Sequence, residues 1–175
     1  MGQVQHINKR FIFYGSNLAE HIVDKGLNWK GSDLYDIKTI DELDAQERLE
    51  GVFAQLMQVE SPRSSIRRHY RICLQDDAII DFLGANRDID TLTFVIYILT
   101  HELLHMHRFS TGQADFNHVN ENEEVFVDSL TRLLMAKHPI SGMQNVLKLL
   151  DKIVPPQLYS FTTIVEHEGS FNAYL

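Results

Sequence analysis

The sequence has one cysteine, no long apolar run and no excess of positive charge, and each shortage excludes a class of protein. Its cysteine, Cys73, cannot form an internal disulfide, so the cysteine content gives no reason to expect an oxidising compartment. Residues 1–6 lack an apolar signal core, and no segment approaches the roughly 20 apolar residues of a membrane span. We therefore expect a soluble cytoplasmic protein with no membrane partner.

The overall charge argues against nucleic acid as a partner. The chain carries 24 Asp and Glu against 16 Lys and Arg, and its formal net charge of −8 would repel phosphate over most of the surface. Basic residues gather in one short segment, which holds Arg63, Arg67, Arg68 and Arg71. Such a cluster is either an ordinary solvated face or a patch that attracts acidic segments of a substrate or partner.

Length and composition are those of one globular domain. With 175 residues, of which 44% are apolar and 23% charged, the chain is long enough to bury a core. It contains no internal repeat, low-complexity tract or obvious linker. We therefore expect residues 1–175 to form a single domain with an N-terminal part (1–62), a central part (63–138) and a C-terminal part (139–175).

The most informative motif is an H-E-x-x-H at residues 101–105, which follows the apolar stretch 91–100. That stretch is apolar nearly all round, which predicts a central buried helix. His101 and His105 would stand roughly 40° apart around its axis, so both can bind one metal ion with Glu102 beside it. An ordinary amphipathic helix could carry the same letters, but buried polar groups need partners, and a metal ion supplies them. The motif therefore predicts a zinc site with two histidine ligands and Glu102 as the general base.

A second helix is predicted to begin near Asn120 and to run to Met135, with acidic residues in its first turn. A carboxylate from this helix can close a His-His-Glu site and leave the fourth position open. We favour Glu124 as this ligand because Asp128 follows it by one turn. There Asp128 could accept a hydrogen bond from the outer nitrogen of a liganding histidine and fix its tautomer.

Two other acids of this helix remain candidates for the third ligand. Glu123 shares a helical stripe with Val127 and Leu134, so it could point inward. Glu121 could also bind, although an acid at this place is favoured simply by the dipole at the start of a helix.

The H-E-x-x-H at 101–105 and the E-x-x-x-D at 124–128 together resemble the gluzincin family of zinc metallopeptidases, the thermolysin-like group. The resemblance covers about residues 92–135 and departs from the family at Glu123, where gluzincins often have asparagine. It implies an α+β, zincin-like fold that is mainly helical, with a small mixed or antiparallel sheet before the motif helix. It also implies a Zn²⁺ cofactor, hydrolysis of a peptide or protein substrate by activated water, and an edge strand with which that substrate pairs.

Other polar residues near the motifs are weaker candidates. His118 lies in the loop between the two helices, where it could donate to the oxyanion of a tetrahedral intermediate or bind the metal. Tyr159 and Tyr174 are further candidates for the oxyanion donor. His107 lies roughly 200° around the helix from His105, so we expect it to face away from the metal in a solvent or packing role. Tyr97 fits a core position.

Three other interpretations use some of the same residues. A zincin-like fold could bind metal without turnover and act as a regulatory or interaction module. Glu102 and His105 also form the E-x-x-H of a di-iron bundle, but that architecture needs a second E-x-x-H, which the sequence lacks. Cys73 could be a ligand in a site like that of peptide deformylase. The other motifs of that family are missing, however, and a lone cysteine is more often a core residue.

Elsewhere the patterns predict a mixture of helices and strands. Residues 9–14 have the composition of a strand, and a helix is expected over 17–25. A capping box formed by Thr39 and Glu42 predicts a helix that ends before Ser61 and Pro62, after loop or short extended chain over 33–39. Residues 65–74 and 78–83 read as two paired strands, 142–154 as a helix and 159–165 as a late strand.

Overall fold

The structure is a computed structural model that describes residues 6–29, 34–59, 69–152 and 162–165. The chain is α+β and mainly helical, with a short 3-10 turn at Phe116–His118 before the fourth helix. In chain order the other described elements are α1 (Lys9–Leu27), β1 (Leu34–Lys38), β2 (Ala54–Val59), β3 (His69–Leu74), α2 (Asp76–Ala85), α3 (Thr91–Ser110), α4 (Glu121–Lys137), α5 (Met143–Lys152) and β4 (Thr162–Val165).

The sheet is mixed, and its strand order is β1-β3-β2-β4. β1 and β3 are parallel, with Leu34 opposite His69, whereas β2 and β3 are antiparallel, with Ala54 opposite Leu74. β4 pairs in parallel with the other side of β2. Because β1, β2 and β3 come before the motif helix in the chain, the prediction of a small mixed sheet ahead of that helix is confirmed.

Helix α3 lies at the centre of the core and carries the H-E-x-x-H motif. Asp90 caps it by accepting a hydrogen bond from the backbone N–H of Thr93 at 2.9 Å. Every residue from 93 to 107 is buried, and α1, α4, α5 and β2 all contact this helix. The prediction of a central buried helix is therefore confirmed, and its packing holds the motif histidines in the interior.

The predicted strand over residues 9–14 is wrong, because these residues begin helix α1. Asn8 caps that helix by accepting a hydrogen bond from the backbone N–H of Arg10 at 2.9 Å. Gly15 lies inside the helix: a Cβ atom there would be 3.1 Å from Val95 Cγ1, so the absence of a side chain lets α1 approach α3 closely. The aromatic residues that suggested a strand therefore belong to a helical period that continues through the helix expected over 17–25.

The predicted helix from Thr39 to Ser61 is also wrong. The capping contact does form, since the Glu42 carboxylate accepts a hydrogen bond from the backbone N–H of Thr39 at 3.1 Å, but it closes a turn. Gly51 has a φ of 79°, which ends any helical path, and Ala54–Val59 pairs with β3 as strand β2. Cross-strand burial has overridden a local helix signal here.

Residues 78–83, which are predicted to form a strand, belong to helix α2, so this prediction is also wrong. Ile79 of this helix is buried, and the ring of Phe82 stacks on that of Phe94 in α3 at a centroid distance of 5.1 Å. A short apolar run suits either a strand or a buried helix, so its letters alone could not decide between them.

The other predicted elements are confirmed within the described residues. The strand expected over 65–74 is present as β3 from His69 onwards, and residues 65–68 lie outside the description. The loop or short extended chain expected over 33–39 contains β1, the acidic helix is α4, the helix over 142–154 is present as α5, and the late strand over 159–165 is present as β4. Residues 33, 153–154 and 159–161 lie outside the description. In the part of the chain that the structure describes, no helix combines the length and apolar character needed to cross a membrane.

Candidate metal centre

The two motif histidines present the same ring nitrogen to one point. His101 and His105 lie one turn apart on α3, and their Nε2 atoms are 3.2 Å from each other. Their rings meet edge to face, and the His105 ring stacks on Phe109 with an angle of 10° between the planes. His105 is fully buried and His101 is 6% exposed, so neither imidazole is free to turn towards bulk solvent.

Helix α4 brings one carboxylate to the same point. Asn120 caps this helix, because its side-chain oxygen accepts hydrogen bonds from the backbone N–H groups of Asn122 and Glu123 at 3.0 and 3.2 Å. The buried Glu124 then places Oε2 3.4 Å from His101 Nε2 and 3.3 Å from His105 Nε2. Within the described residues, His101, His105 and Glu124 are the one group of three or more potential metal ligands with this proximity.

The spacing of these three atoms fits a tetrahedral zinc ion. Ligand atoms at roughly 2.0–2.1 Å from such an ion stand roughly 3.3–3.4 Å from one another. The three observed separations are 3.2, 3.3 and 3.4 Å, so the ligand atoms already have the spacing that a small cation requires.

Charge within the group also favours a cation. Burial lowers the pKa of His105, but the carboxylates of Glu123 and Glu124 outweigh burial and raise it to about 9. Burial raises the pKa of Glu124, but His101 and His105 outweigh it and lower the value to about 2. Both shifts have the same cause: carboxylates surround the buried imidazoles and favour positive charge between them.

Glu102 lies between the two motif histidines on α3 and is fully buried. Its negative charge contributes to the raised pKa of His105, so the carboxylate acts on the site electrostatically. Glu102 shares the buried segment of α3 with His101 and His105. Its position beside a bound metal stays a prediction.

Asp128 contacts other residues than those the sequence predicted. Its carboxylate accepts a hydrogen bond from the hydroxyl of Tyr97 and another from Arg132 Nε at 2.7 Å. The outer nitrogen of His101, Nδ1, instead lies 3.5 Å from Thr131 Oγ1. Because the Thr131 hydroxyl donates to the carbonyl of Val127 at 2.7 Å, its oxygen is left to accept from the N–H of the imidazole.

The two other acidic candidates of α4 are not placed with the ligand group. Glu121 is exposed at the first position of α4. The Glu123 carboxylate accepts hydrogen bonds from Arg108 Nε at 2.7 Å and from Nη2 at 2.9 Å, and it faces the opposite side of the His105 ring. The sequence patterns did not identify three residues as support for the histidines: Arg108, Glu123 and Thr131. The one sequence feature that could have indicated them is a polar side chain on the inner face of α3 or α4.

The remaining histidine candidates do not belong to the group of potential metal ligands. His118 follows the buried Phe116 on the 3-10 turn, has a side chain that is 80% exposed, and hydrogen-bonds Asp115 at 2.7 Å. His107 is buried and packs edge to face against Trp29, as its predicted packing role requires. Tyr159 and Tyr174 lie outside the described residues.

Cys73 lies on the other side of the sheet from the main core. It is buried in a small apolar cluster, and its Sγ is 3.5 Å from Met57 Sδ. Burial raises its pKa to about 12. A neutral thiol in apolar surroundings is a core residue, which leaves the interpretation of a cysteine-ligated site without structural support.

Comparisons with models of protein families, with curated proteins and with solved structures found no match for this chain. The chemistry of the site is therefore inferred from its own geometry and from the two motifs.

Proposed function

We propose that this chain is a zinc-dependent metallopeptidase of the gluzincin type, built as one zincin-like domain over residues 1–175. In this proposal His101, His105 and Glu124 hold Zn²⁺, and Glu102 is the general base for hydrolysis of a peptide bond. The observation that carries the proposal is the separation of 3.2 to 3.4 Å between the three ligand atoms, in the buried contact between α3 and α4.

The donor set supports zinc and supports a catalytic role for it. Two imidazole nitrogens and one carboxylate oxygen suit this ion, and three protein ligands leave a fourth position for water or substrate. Structural zinc sites use four protein ligands, whereas no fourth histidine, cysteine, aspartate or glutamate joins this group among the described residues. Zinc bound there would act as a Lewis acid and would lower the pKa of a water molecule towards about 7.

The residues of the chain supply the proton transfers. In the proposal Glu102 accepts a proton from the attacking water as the water oxygen bonds to the peptide carbon. The carbon–nitrogen bond then breaks, and Glu102 returns the proton to the departing amine. No covalent bond forms between enzyme and substrate, so no nucleophilic side chain is needed.

Peptide hydrolysis by the wild-type chain and by Glu102→Gln tests this proposal. The zinc-loaded proteins are incubated with a broad peptide library, and the products are identified by mass spectrometry. We expect cleavage by wild type and at least about a hundredfold loss in Glu102→Gln, with unchanged zinc content, because the amide cannot take a proton. A Glu102→Gln variant with full activity would remove this residue from the base role, and an inactive wild type would contradict the peptidase.

Burial of the group favours a second candidate, a metal-binding module that regulates or binds other molecules without turnover. Glu102 and His105 are fully buried, and His101 and Glu124 are only 6% and 8% exposed. A substrate needs access to the fourth ligand position, so the described surroundings would have to open for catalysis. Full zinc loading with no cleavage of any library peptide would favour this module over the enzyme.

The proposed substrate is a peptide or protein of the cytoplasm. A buried thiol at Cys73, with no disulfide, suits a reducing compartment. The negative net charge argues against nucleic acid as a partner.

A further inference from the structure

Adjacent residues of α4 approach opposite sides of one imidazole. Glu124 Oε2 is 3.3 Å from His105 Nε2, whereas Glu123 Oε1 is 3.8 Å from Nδ1 of the same ring. The Nδ1 atom is buried and forms no hydrogen bond with the described residues, so the Glu123 carboxylate at 3.8 Å faces it at ion-pair distance. A histidine that binds metal through Nε2 needs its proton on Nδ1, and a carboxylate facing Nδ1 stabilises that tautomer.

We propose that Glu123, held in place by Arg108, is the positioning residue for His105, and this inference rests on the proposed zinc site. Glu123 does not touch the metal: it fixes the ring orientation and tautomer that direct the Nε2 lone pair to the ion. It supports His105 in the way that the sequence pattern expected Asp128 to support a liganding histidine, whereas Thr131 lies behind His101.

Arg108 holds both oxygens of the Glu123 carboxylate. Its guanidinium donates to both oxygens of Glu123, at 2.7 and 2.9 Å, which is the two-point geometry that orients a carboxylate most strongly. The guanidinium carbon lies 4.1 Å from the centre of the Phe126 ring, a cation–π contact that also holds the arginine in place. The side chains of Glu123 and Arg108 are 11% and 13% exposed, so water competes little with this ion pair.

The two histidines are therefore supported differently. His101 faces the neutral hydroxyl of Thr131 at 3.5 Å, whereas His105 faces a carboxylate. A charged acceptor increases the electron donation of the imidazole to a metal more than a hydroxyl does. We therefore expect Glu123 to increase the affinity of the site for metal, although Glu123 does not bind the metal itself.

Zinc affinity of Glu123→Gln tests the inference, with Glu121→Gln as the matched control. Both variants lose one negative charge from the first turn of α4, but Glu121 is exposed and is not part of the group of potential metal ligands. Competition with a chromophoric chelator at fixed pH measures the dissociation constant of the full chain. We expect zinc to bind about 10–100-fold more weakly to Glu123→Gln, and within about threefold of wild type to Glu121→Gln.

Arg108→Gln is the second variant, because it keeps every ligand and Glu123 but removes the clamp. It should weaken zinc binding by about threefold or more, and it decides the question if Glu123→Gln does not fold. Unfolding of the metal-free proteins checks that the variants are folded when zinc is added. Cobalt(II) in place of zinc gives a spectroscopic signature, and a changed visible spectrum in Glu123→Gln would support altered ligation by His105.

Equal zinc affinity of wild type and Glu123→Gln, or equal losses in Glu123→Gln and Glu121→Gln, would overturn the inference and leave the zinc site standing. If wild type binds no zinc, both the inference and the proposed function are overturned. A wild type that binds zinc but cleaves no peptide contradicts the peptidase and leaves the role of Glu123 open to the same comparison of affinities.

Discussion

Replacing Asp128 with asparagine separates a structural role of this residue from support of the metal site. The E-x-x-x-D pattern puts Asp128 behind a liganding histidine, whereas the structure puts it between Tyr97 and Arg132. The two roles predict opposite results. A structural role predicts lower stability with unchanged zinc affinity, and support of a histidine predicts weaker zinc binding.

The expected loss of stability follows from the contacts. The side chain of Asp128 is 14% exposed, and it accepts from the Tyr97 hydroxyl and, at 2.7 Å, from Arg132 Nε. A hydrogen bond to a charged group contributes about 1.5–3 kcal/mol. Asparagine keeps one acceptor oxygen but turns an NH₂ group towards a donor, so we expect a loss of about 2–3 kcal/mol. In a domain of this size that lowers Tm by roughly 5–10 °C.

Urea unfolding and zinc competition together provide the assay. Asp151→Asn is the matched control: it makes the same chemical change and also loses a contact with Arg132, but its side chain is 69% exposed. We expect that control to lie within about 0.5–1 kcal/mol of wild type. Both aspartates lie outside the group formed by His101, His105 and Glu124, so neither substitution removes a potential zinc ligand.

The reasoning is refuted if Asp128→Asn unfolds like wild type but binds zinc about tenfold or more weakly. That result would return Asp128 to the place behind His101 that Thr131 occupies in the structure.

Three further predictions concern acid, thiol chemistry and metal removal. Burial raises the pKa values of Asp36 and Glu47, but other contacts outweigh it and lower both: chiefly Arg71 for Asp36, and the backbone N–H of Asp44 together with Lys38 and Arg71 for Glu47. Their contribution to stability is therefore complete above the unfolded values near pH 4 and is lost as pH falls below them. Urea unfolding should show Arg71→Gln less stable than wild type at pH 6 and the difference shrinking towards pH 2; a constant difference would contradict this. Because burial raises the pKa of Cys73 to about 12, a thiol reagent at pH 8 should label it only in urea, and rapid labelling of the folded chain would show an open cluster. Removal of zinc with a chelator should lower Tm, with about 2.7 kcal/mol of stabilisation regained at free zinc one hundred times its dissociation constant; an unchanged Tm would argue against a folded-state metal site.

The helices that carry the candidate site could be predicted because their local signals agree. An apolar stretch with Asp90 at its start defines α3, and Asn120 followed by acidic residues defines the start of α4. Helical spacing then brings His101 and His105 together, since residues one turn apart share a face. Glu124 follows from the requirement for a carboxylate on the next helix.

The support of the histidines could not be predicted, because it depends on how α4 is rotated against α3. Asp128 and Thr131 both lie within roughly 40° of Glu124 around the helix axis, so the pattern cannot say which of them meets His101. In the structure Thr131 takes that place, and Asp128 is held by Tyr97 and Arg132. A contact between helices fixes this rotation, and such contacts leave no mark in local periodicity.

The errors elsewhere have the same origin. Residues 9–14 and 54–59 carry local signals for a strand and for a helix, and in each case long-range packing gives the other structure. Gly15 allows α1 to pack closely against α3. Strand β2 forms by pairing with β3, a segment that lies later in the chain and outside the local pattern. Local propensity loses where burial against a distant segment stabilises the alternative more strongly.

Zinc stoichiometry of the purified wild-type chain and of Glu124→Ala, with Glu121→Ala as the control, tests the central claim most directly. We expect about one zinc per chain in wild type and in Glu121→Ala, and a large loss in Glu124→Ala, because three protein ligands define the site. Zinc that is absent from wild type, or that remains fully bound without Glu124, would contradict a metal centre formed by these two helices.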